Sequence, residues 1–187
     1  AGELGSGSGA PAMTGVPMTV SGGGAYTAVA AGASFTCGTR DGAIVCWGYC
    51  LQGQCAPPAG TYSQVTAGDT HACGLKVDGT VACWGNNDYG QATPTADVFS
   101  LVSAGNGHTC GVKPDASVVC WGDDYWGQIN PPPGTPFSEV SAGAAHPCGV
   151  ATDTMPVCWG DNDDGQATEG GYGTYVQISA GTWHSCG

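Results

Sequence analysis

The residues best equipped for chemistry in this chain are eleven cysteines, four histidines and a set of Asp- and Asn-rich segments. Ten of the cysteines fall into close pairs: Cys37/Cys46, Cys50/Cys55, Cys73/Cys83, Cys110/Cys120 and Cys148/Cys158, with Cys186 left over. Thiols at such spacings either bond to each other in an oxidising compartment or hold zinc in a reducing one. His71, His108, His146 and His184 each stand two residues before a cysteine. Equivalent positions in separate structural units lie too far apart to share one metal at bonding distances near ~2 Å. These imidazoles therefore read as structural groups bonded to neighbouring backbone. Asp88, Asp123, Asp124, Asp161, Asp163 and Asp164 supply oxygen ligands of the kind calcium takes. None follows the calcium-loop pattern with its distant Glu, and Asx residues also cap turns unaided. Calcium is the one cofactor this composition suggests. No G-x-S-x-G, H-E-x-x-H or phosphate-loop motif is present, so no catalytic residue is assigned and a non-enzyme is expected.

Charge narrows the partners. Arg40, Lys76 and Lys113 oppose fifteen acidic residues, for a formal net charge of −12. Binding to nucleic acid requires Lys and Arg to displace counterions from phosphate, and anionic membranes make the same demand. Both are excluded as partners, and no apolar run is long enough to span a bilayer. A protein or a glycan remains, contacted by aromatics that do not recur from unit to unit: Tyr49, Tyr89, Tyr125, Trp126 and Trp183. Exposed aromatic rings beside carboxylates suit sugar stacking or a protein hot spot.

The elements that must position these groups repeat along the chain. Tyr26, Tyr62, Phe99, Phe137 and Tyr175 each open a segment ending in Ala-Gly, spaced 36, 37, 38 and 38 residues apart. A Cys-Trp-Gly triplet recurs at 46–48, 83–85, 120–122 and 158–160, and a Gly-Gln pair at 53–54, 90–91, 127–128 and 165–166. The units are 26–61, 62–98, 99–136, 137–174 and a partial fifth, 175–187. With 34 glycines, 12 prolines and period-two alternation, each unit reads as three short strands joined by tight turns. The expected fold is all-β, a β-propeller of radially repeated units.

Hairpin arithmetic decides between disulfide and zinc. A three-residue Val77-Asp78-Gly79 turn sets Lys76 against Thr80 and brings Cys73 directly opposite Cys83, at a position where side chains approach most closely. The first unit has one residue fewer between its cysteines, and its turn is one residue shorter, so Cys37 still faces Cys46. A deletion that preserves the facing is what a bond requires. One disulfide per hairpin follows, with Cys50–Cys55 as a fifth, local bridge. Ala116 and Thr154 replace the turn glycine in units three and four, which leaves those turns open. Cys186 occupies the first-cysteine position of a hairpin whose partner would lie about ten residues beyond Gly187, so either the natural chain continues, or Cys186 is unpaired or bonded to another chain or segment that completes the unit. The Gly/Ser/Pro-rich segment 1–25 includes Val16–Val20, a candidate closing strand. Donated between copies, that strand would make a homo-oligomer or a head-to-tail filament.

The pattern aromatic-x-x-Val-x-Ala-Gly-x-x-His-x-Cys, then Asp-Gly-x-Val-x-Cys-Trp-Gly and Gly-Gln, resembles the regulator-of-chromosome-condensation repeat over residues 26–187. The resemblance implies a propeller of four-stranded blades, commonly seven. The founding member's chromatin and GTPase-exchange roles do not carry over to a chain this acidic and this rich in cysteine. It looks more like secreted bacterial members with cysteines paired in each repeat, one relative of which inhibits β-lactamases. The expected function is a secreted binding or structural propeller that recognises a protein or glycan through its loops; an inhibitor of an extracellular hydrolase is the alternative.

Overall fold

A computed structural model describes residues 25–168 and 173–187. The segment proposed as a closing strand, Val16–Val20, lies outside them, as does most of segment 1–25. The described chain is all β and contains no helix long and apolar enough to cross a membrane. Each full unit forms one antiparallel, three-stranded sheet in sequence order. The strands are β1 (Ala28–Ala31), β2 (Phe35–Arg40) and β3 (Ala43–Gly48), then β4 (Tyr62–Ala67), β5 (His71–Lys76) and β6 (Val81–Gly85). Unit three holds β7 (Leu101–Ala104), β8 (His108–Val112) and β9 (Val118–Gly122); unit four holds β10 (Phe137–Ala142), β11 (Pro147–Ala151) and β12 (Pro156–Cys158). The partial fifth unit pairs β13 (Ser179–Ala180) with β14 (Ser185–Cys186).

Sheets of three strands, rather than the four the resemblance implies, have a local cause. The segments leading from a Gly-Gln pair to the next unit carry Pro57-Pro58, Pro94 and Pro131-Pro132-Pro133. Proline has no amide to donate to a ladder. These stretches run as turns and open loop instead.

The hydrophobic core lies between successive sheets. Phe35, Cys37 and Ile44 of unit one cluster with Tyr62, Val65, Ala72 and Trp84 of unit two. Phe137 and Trp159 of unit four pack on Cys110 and Val112 of unit three. Burying one such side chain contributes about 1.5–3 kcal/mol, so most of the apolar stabilisation is shared across unit borders. Towards the middle, the Ala-Gly loops of all five units line one funnel of ≈ 350 Å³. There the amide after each glycine donates to the next unit's glycine carbonyl: Asp69 to Gly105 at 3.3 Å, Asn106 to Gly143 at 3.2 Å and Ala144 to Gly181 at 3.1 Å. A Cβ on Gly105 would collide with the Gly143 carbonyl and come within 2.7 Å of the His108 ring, so no larger residue fits this approach.

The disulfide hairpins have the register derived above. Cys37 faces Cys46 and Cys73 faces Cys83 in the ladder, as do Cys110 and Cys120, and Cys148 and Cys158. Each of these pairs is bonded, with Cα atoms 4.0–4.1 Å apart. Cys50 is bonded to Cys55, and Cys186 is free and exposed.

The turns left open at Ala116 and Thr154 are the same turn as at Gly79. All three residues have φ between 67° and 84°. Each amide bonds back three residues, Gly79 to Lys76, Ala116 to Lys113 and Thr154 to Ala151, at 2.8–3.0 Å. The reason lies in the next unit: the carbonyls of Gly79, Ala116 and Thr154 accept the amides of Phe99, Phe137 and Tyr175 at 2.7–2.9 Å. Abandoning the left-handed conformation would orphan those amides. A side chain held there costs about 1–2 kcal/mol, offset by about 0.4–1 kcal/mol of unfolded-state entropy that glycine adds. Ala116→Gly and Thr154→Gly are each expected to raise stability by about 0.5–1 kcal/mol, read as a higher urea midpoint at unchanged m-value.

Candidate binding face

Every hairpin has a turn end and an open end. The open ends carry the loop before each histidine and the loop before each Gly-Gln pair, tied by one backbone bond per unit: Tyr49 to Ser34, Asn86 to Thr70, Asp123 to Gly107 and Asp161 to Ala145, at 2.8–3.0 Å. All five candidate aromatics sit on these loops. Tyr49 is 53% exposed, Tyr89 63%, Tyr125 79%, Trp126 44% and Trp183 64%. Tyr125 and Trp126 contact edge to face, with ring centroids 4.9 Å apart.

A buried glutamine holds each loop in place. Gln54, Gln91, Gln128 and Gln166 are buried. The Oε1 of each accepts the amide two residues earlier, from Gln52, Tyr89, Trp126 and Asp164, at 2.7–2.9 Å. In unit two the Gln91 amide also donates to the Asn86 side chain. In unit three Gln128 donates to Asp123 at 3.0 Å. The dipeptide before each Gly-Gln pair therefore has a fixed backbone and exposed side chains: Leu51-Gln52, Asp88-Tyr89, Tyr125-Trp126 and Asp163-Asp164.

The glutamine backbone joins one unit to the next. The indole Nε1 of Trp84, Trp121 and Trp159 donates to the carbonyls of Gln54, Gln91 and Gln128 at 2.6–3.0 Å. The Gln91 carbonyl also accepts the Thr109 hydroxyl at 3.1 Å, and that hydroxyl lies 2.8 Å from Nε2 of His71. Because the hydroxyl hydrogen goes to the carbonyl, the histidine must carry its proton on Nε2. The set recurs as His146, Ser185 and Gln166, at 2.9 and 3.4 Å. His71 and His146 thus bond the next unit's hydroxyl, rather than neighbouring backbone as the sequence suggested. In unit four the hydroxyl position is Pro147, so neither ring nitrogen of the fully buried His108 has a partner. Burial lowers the pKa of His71 to about 4. It does the same for His108, with His71 and His146 adding like-charge repulsion. His146 is also lowered by burial, partly countered by the His184 backbone and by Asp161.

The six aspartates read as calcium candidates are distributed along the loops. Asp123 accepts the Tyr125 amide at 3.1 Å as well as the Gln128 side chain. Asp124 accepts the Asn130 amide group at 2.8 Å, Asp161 the Asp163 backbone at 3.0 Å and Asp88 the Asn86 side chain at 2.7 Å. Asp163 and Asp164 project from the unit-four loop, both exposed. Among the described residues, no three His, Cys, Asp or Glu side chains gather as a metal-holding group.

The three basic residues stand at the other end of the hairpins. Arg40 and Lys76 close β2 and β5, and Lys113 follows β8. Arg40 lies over the Tyr26 ring, 5.7 Å from its centroid, and Lys113 approaches Asp97 at 3.7 Å. The open ends carry no cationic side chain among the described residues, but they hold Asp69, Asp88, Asp123, Asp124, Asp163 and Asp164. The inter-unit chain through His71, Thr109 and Gln91 and the role of Asp123 escaped the sequence reading. Their one sequence signal is the hydroxyl residue that follows the histidine or its equivalent in some units but not others.

Residues 62–91 and 99–128 match the regulator of chromosome condensation (RCC1) repeat. No curated protein matches the chain. Two plant receptor ectodomains are similar at 28% identity. One is the entire ectodomain of the receptor kinase CR4 from Physcomitrella patens (TM-score 0.71, 83% of this chain, 45% of that one). The other is the CRINKLY WD40 ectodomain of the receptor kinase ACR4 from Arabidopsis thaliana (TM-score 0.75, 92% of this chain, 64% of that one). Human WBSCR16 shares the fold at 16% identity (TM-score 0.77, 89% of this chain, 58% of that one). The chain thus spans less than two thirds of the length of each of these structures.

Proposed function

We propose that this chain, a member of the RCC1 repeat family, is an extracellular binding module that recognises a protein partner through the open ends of its hairpins. The observation that carries the reading is the placement of Tyr49, Tyr89, Tyr125, Trp126 and Trp183 on one face, each 44–79% exposed, on loops held by buried glutamines. Large rigid rings with few rotatable bonds lose little entropy on contact, which is why such residues dominate interface energetics. Five disulfides in the described chain suit an oxidising environment. The likeness to two receptor ectodomains supports the same compartment.

The test compares two double variants in affinity capture from the extracellular fluid of the source organism. Tyr125→Ala/Trp126→Ala removes rings from the open face, and Val77→Ala/Met155→Ala trims exposed apolar groups at the turn end. The expected result is a protein held by the native chain and the turn-end variant but lost by the open-face variant. Capture that survives loss of Tyr125 and Trp126, or depends on Val77 and Met155, overturns the reading.

A further inference from the structure

We infer that the open face takes a cationic partner: an extended Lys- or Arg-bearing protein segment laid across successive units. The inference rests on the binding face proposed above and adds the chemistry of what it binds. Its first support is the placement of the cations. All three basic side chains stand at the turn ends, beside Asp41, Asp78, Asp97, Asp115 and Asp153, while the open face carries Asp69, Asp88, Asp123, Asp124, Asp163 and Asp164 with no cation among the described residues. A surface of one sign raises the local concentration of an oppositely charged ligand and repels acidic competitors.

The second support is how rings and carboxylates alternate. The two presented positions before each Gly-Gln pair read Leu51-Gln52, Asp88-Tyr89, Tyr125-Trp126 and Asp163-Asp164 around the arc. Tyr89 and Trp126 occupy the same position in neighbouring units, and each amide is held by its glutamine at 2.9 and 2.7 Å. Tyr89 also stands beside Asp123 across the unit border. Both border the space left open by the missing side chain of Gly107, where a Cβ would lie 3.3 Å from the Asp123 Cβ and 3.5 Å from the Tyr89 ring. An ammonium or guanidinium seated there meets an aromatic face and a carboxylate together, and a guanidinium stacks best of all. An acidic segment would meet like charge at units two, three and four. A neutral one would use the rings but leave the carboxylates unmatched.

The probes are three fluorescein-labelled decapeptides of alternating Gly with Arg, Gly with Ser and Gly with Glu, titrated by anisotropy against the full chain with disulfides intact. The arginine peptide is expected to bind, and to bind more weakly as salt rises. Tyr89→Ala/Trp126→Ala is expected to weaken it at least ten-fold, and Asp163→Asn/Asp164→Asn several-fold. Val77→Ala/Met155→Ala should leave it unchanged. All substituted side chains are exposed, and a native thermal midpoint confirms folding in each variant. Equal affinity for the serine or glutamate peptide, with dependence on Tyr89 and Trp126, overturns the cationic inference and leaves the binding face standing. Binding of the arginine peptide that ignores the open-face variants and follows Val77 and Met155 overturns both.

Discussion

Lowering the pH from 7 to 4 is expected to remove about 6 kcal/mol of folding stability, because two buried imidazoles must stay neutral for the fold to persist. His71 and His108 drop from an ordinary 6.5 to about 4. Between those values the unfolded chain binds protons that the folded chain refuses, so stability falls as pH falls from 6.5 to 4. It is fully present above 6.5. Each residue accounts for about 3 kcal/mol, at about 1.4 kcal/mol per pKa unit. His146 acts in the same direction. Asp78 and Asp115, held low by hydrogen bonds from Thr80 and Ser117, lose their stabilisation only below the ordinary carboxylate range. The two windows therefore separate in a stability–pH profile. Urea denaturation at pH 7, 5.5 and 4 reads the effect. His108→Phe should remove about half the loss, since Phe35 already fills the equivalent site in unit one at 0% exposure. At pH 7 the same variant should gain stability, because it deletes two buried ring nitrogens that have no partner. An unchanged pH slope in His108→Phe would refute the assignment of the acid sensitivity to this ring.

Removing one hairpin bridge should cost about 2.5–3 kcal/mol. Cys110→Ala/Cys120→Ala opens a hairpin with a sequence separation of ten and no other covalent tie. Entropy regained by the unfolded chain sets the cost, so a lower urea midpoint is expected with Trp121 still on the Gln91 carbonyl in the folded state. One sulfur of each hairpin bridge belongs to a fully buried residue: Cys37, Cys73, Cys110 and Cys148 are 0% exposed. The partner cysteines, Cys46, Cys83, Cys120 and Cys158, are half-buried, so thiolate attack on the native hairpins is confined to that side of each bond.

The hairpins were legible because their information is local. Turn length and cysteine spacing change together between units one and two, and only direct facing satisfies both. The turn at Thr154 was not legible, since what holds a β-branched residue left-handed is the Tyr175 amide of another unit. Distance in sequence also hid the histidine contacts: His71 and Thr109 are 38 residues apart, and nothing near His71 announces its partner. The hydrogen bonds of Asp123 were hidden for a chemical reason. A carboxylate that accepts a backbone amide and a glutamine side chain has the same loop composition as one that ligates calcium. The exposed rings were picked out because they break the repeat, and the fold places all five at one end of the hairpins.

Because each unit borrows its hydrogen-bond partner from the one after it, the units are not interchangeable links, and their order carries information. Excising 99–136 would set His71 before Pro147 and silence its contact. Excising 137–174 instead would set His108 before Ser185 and supply the hydroxyl it lacks. Duplication and loss of whole repeats, the simplest way such a chain can change length, is thus biased by which neighbours it creates. A single proline marks the seam where the present arrangement is least at ease.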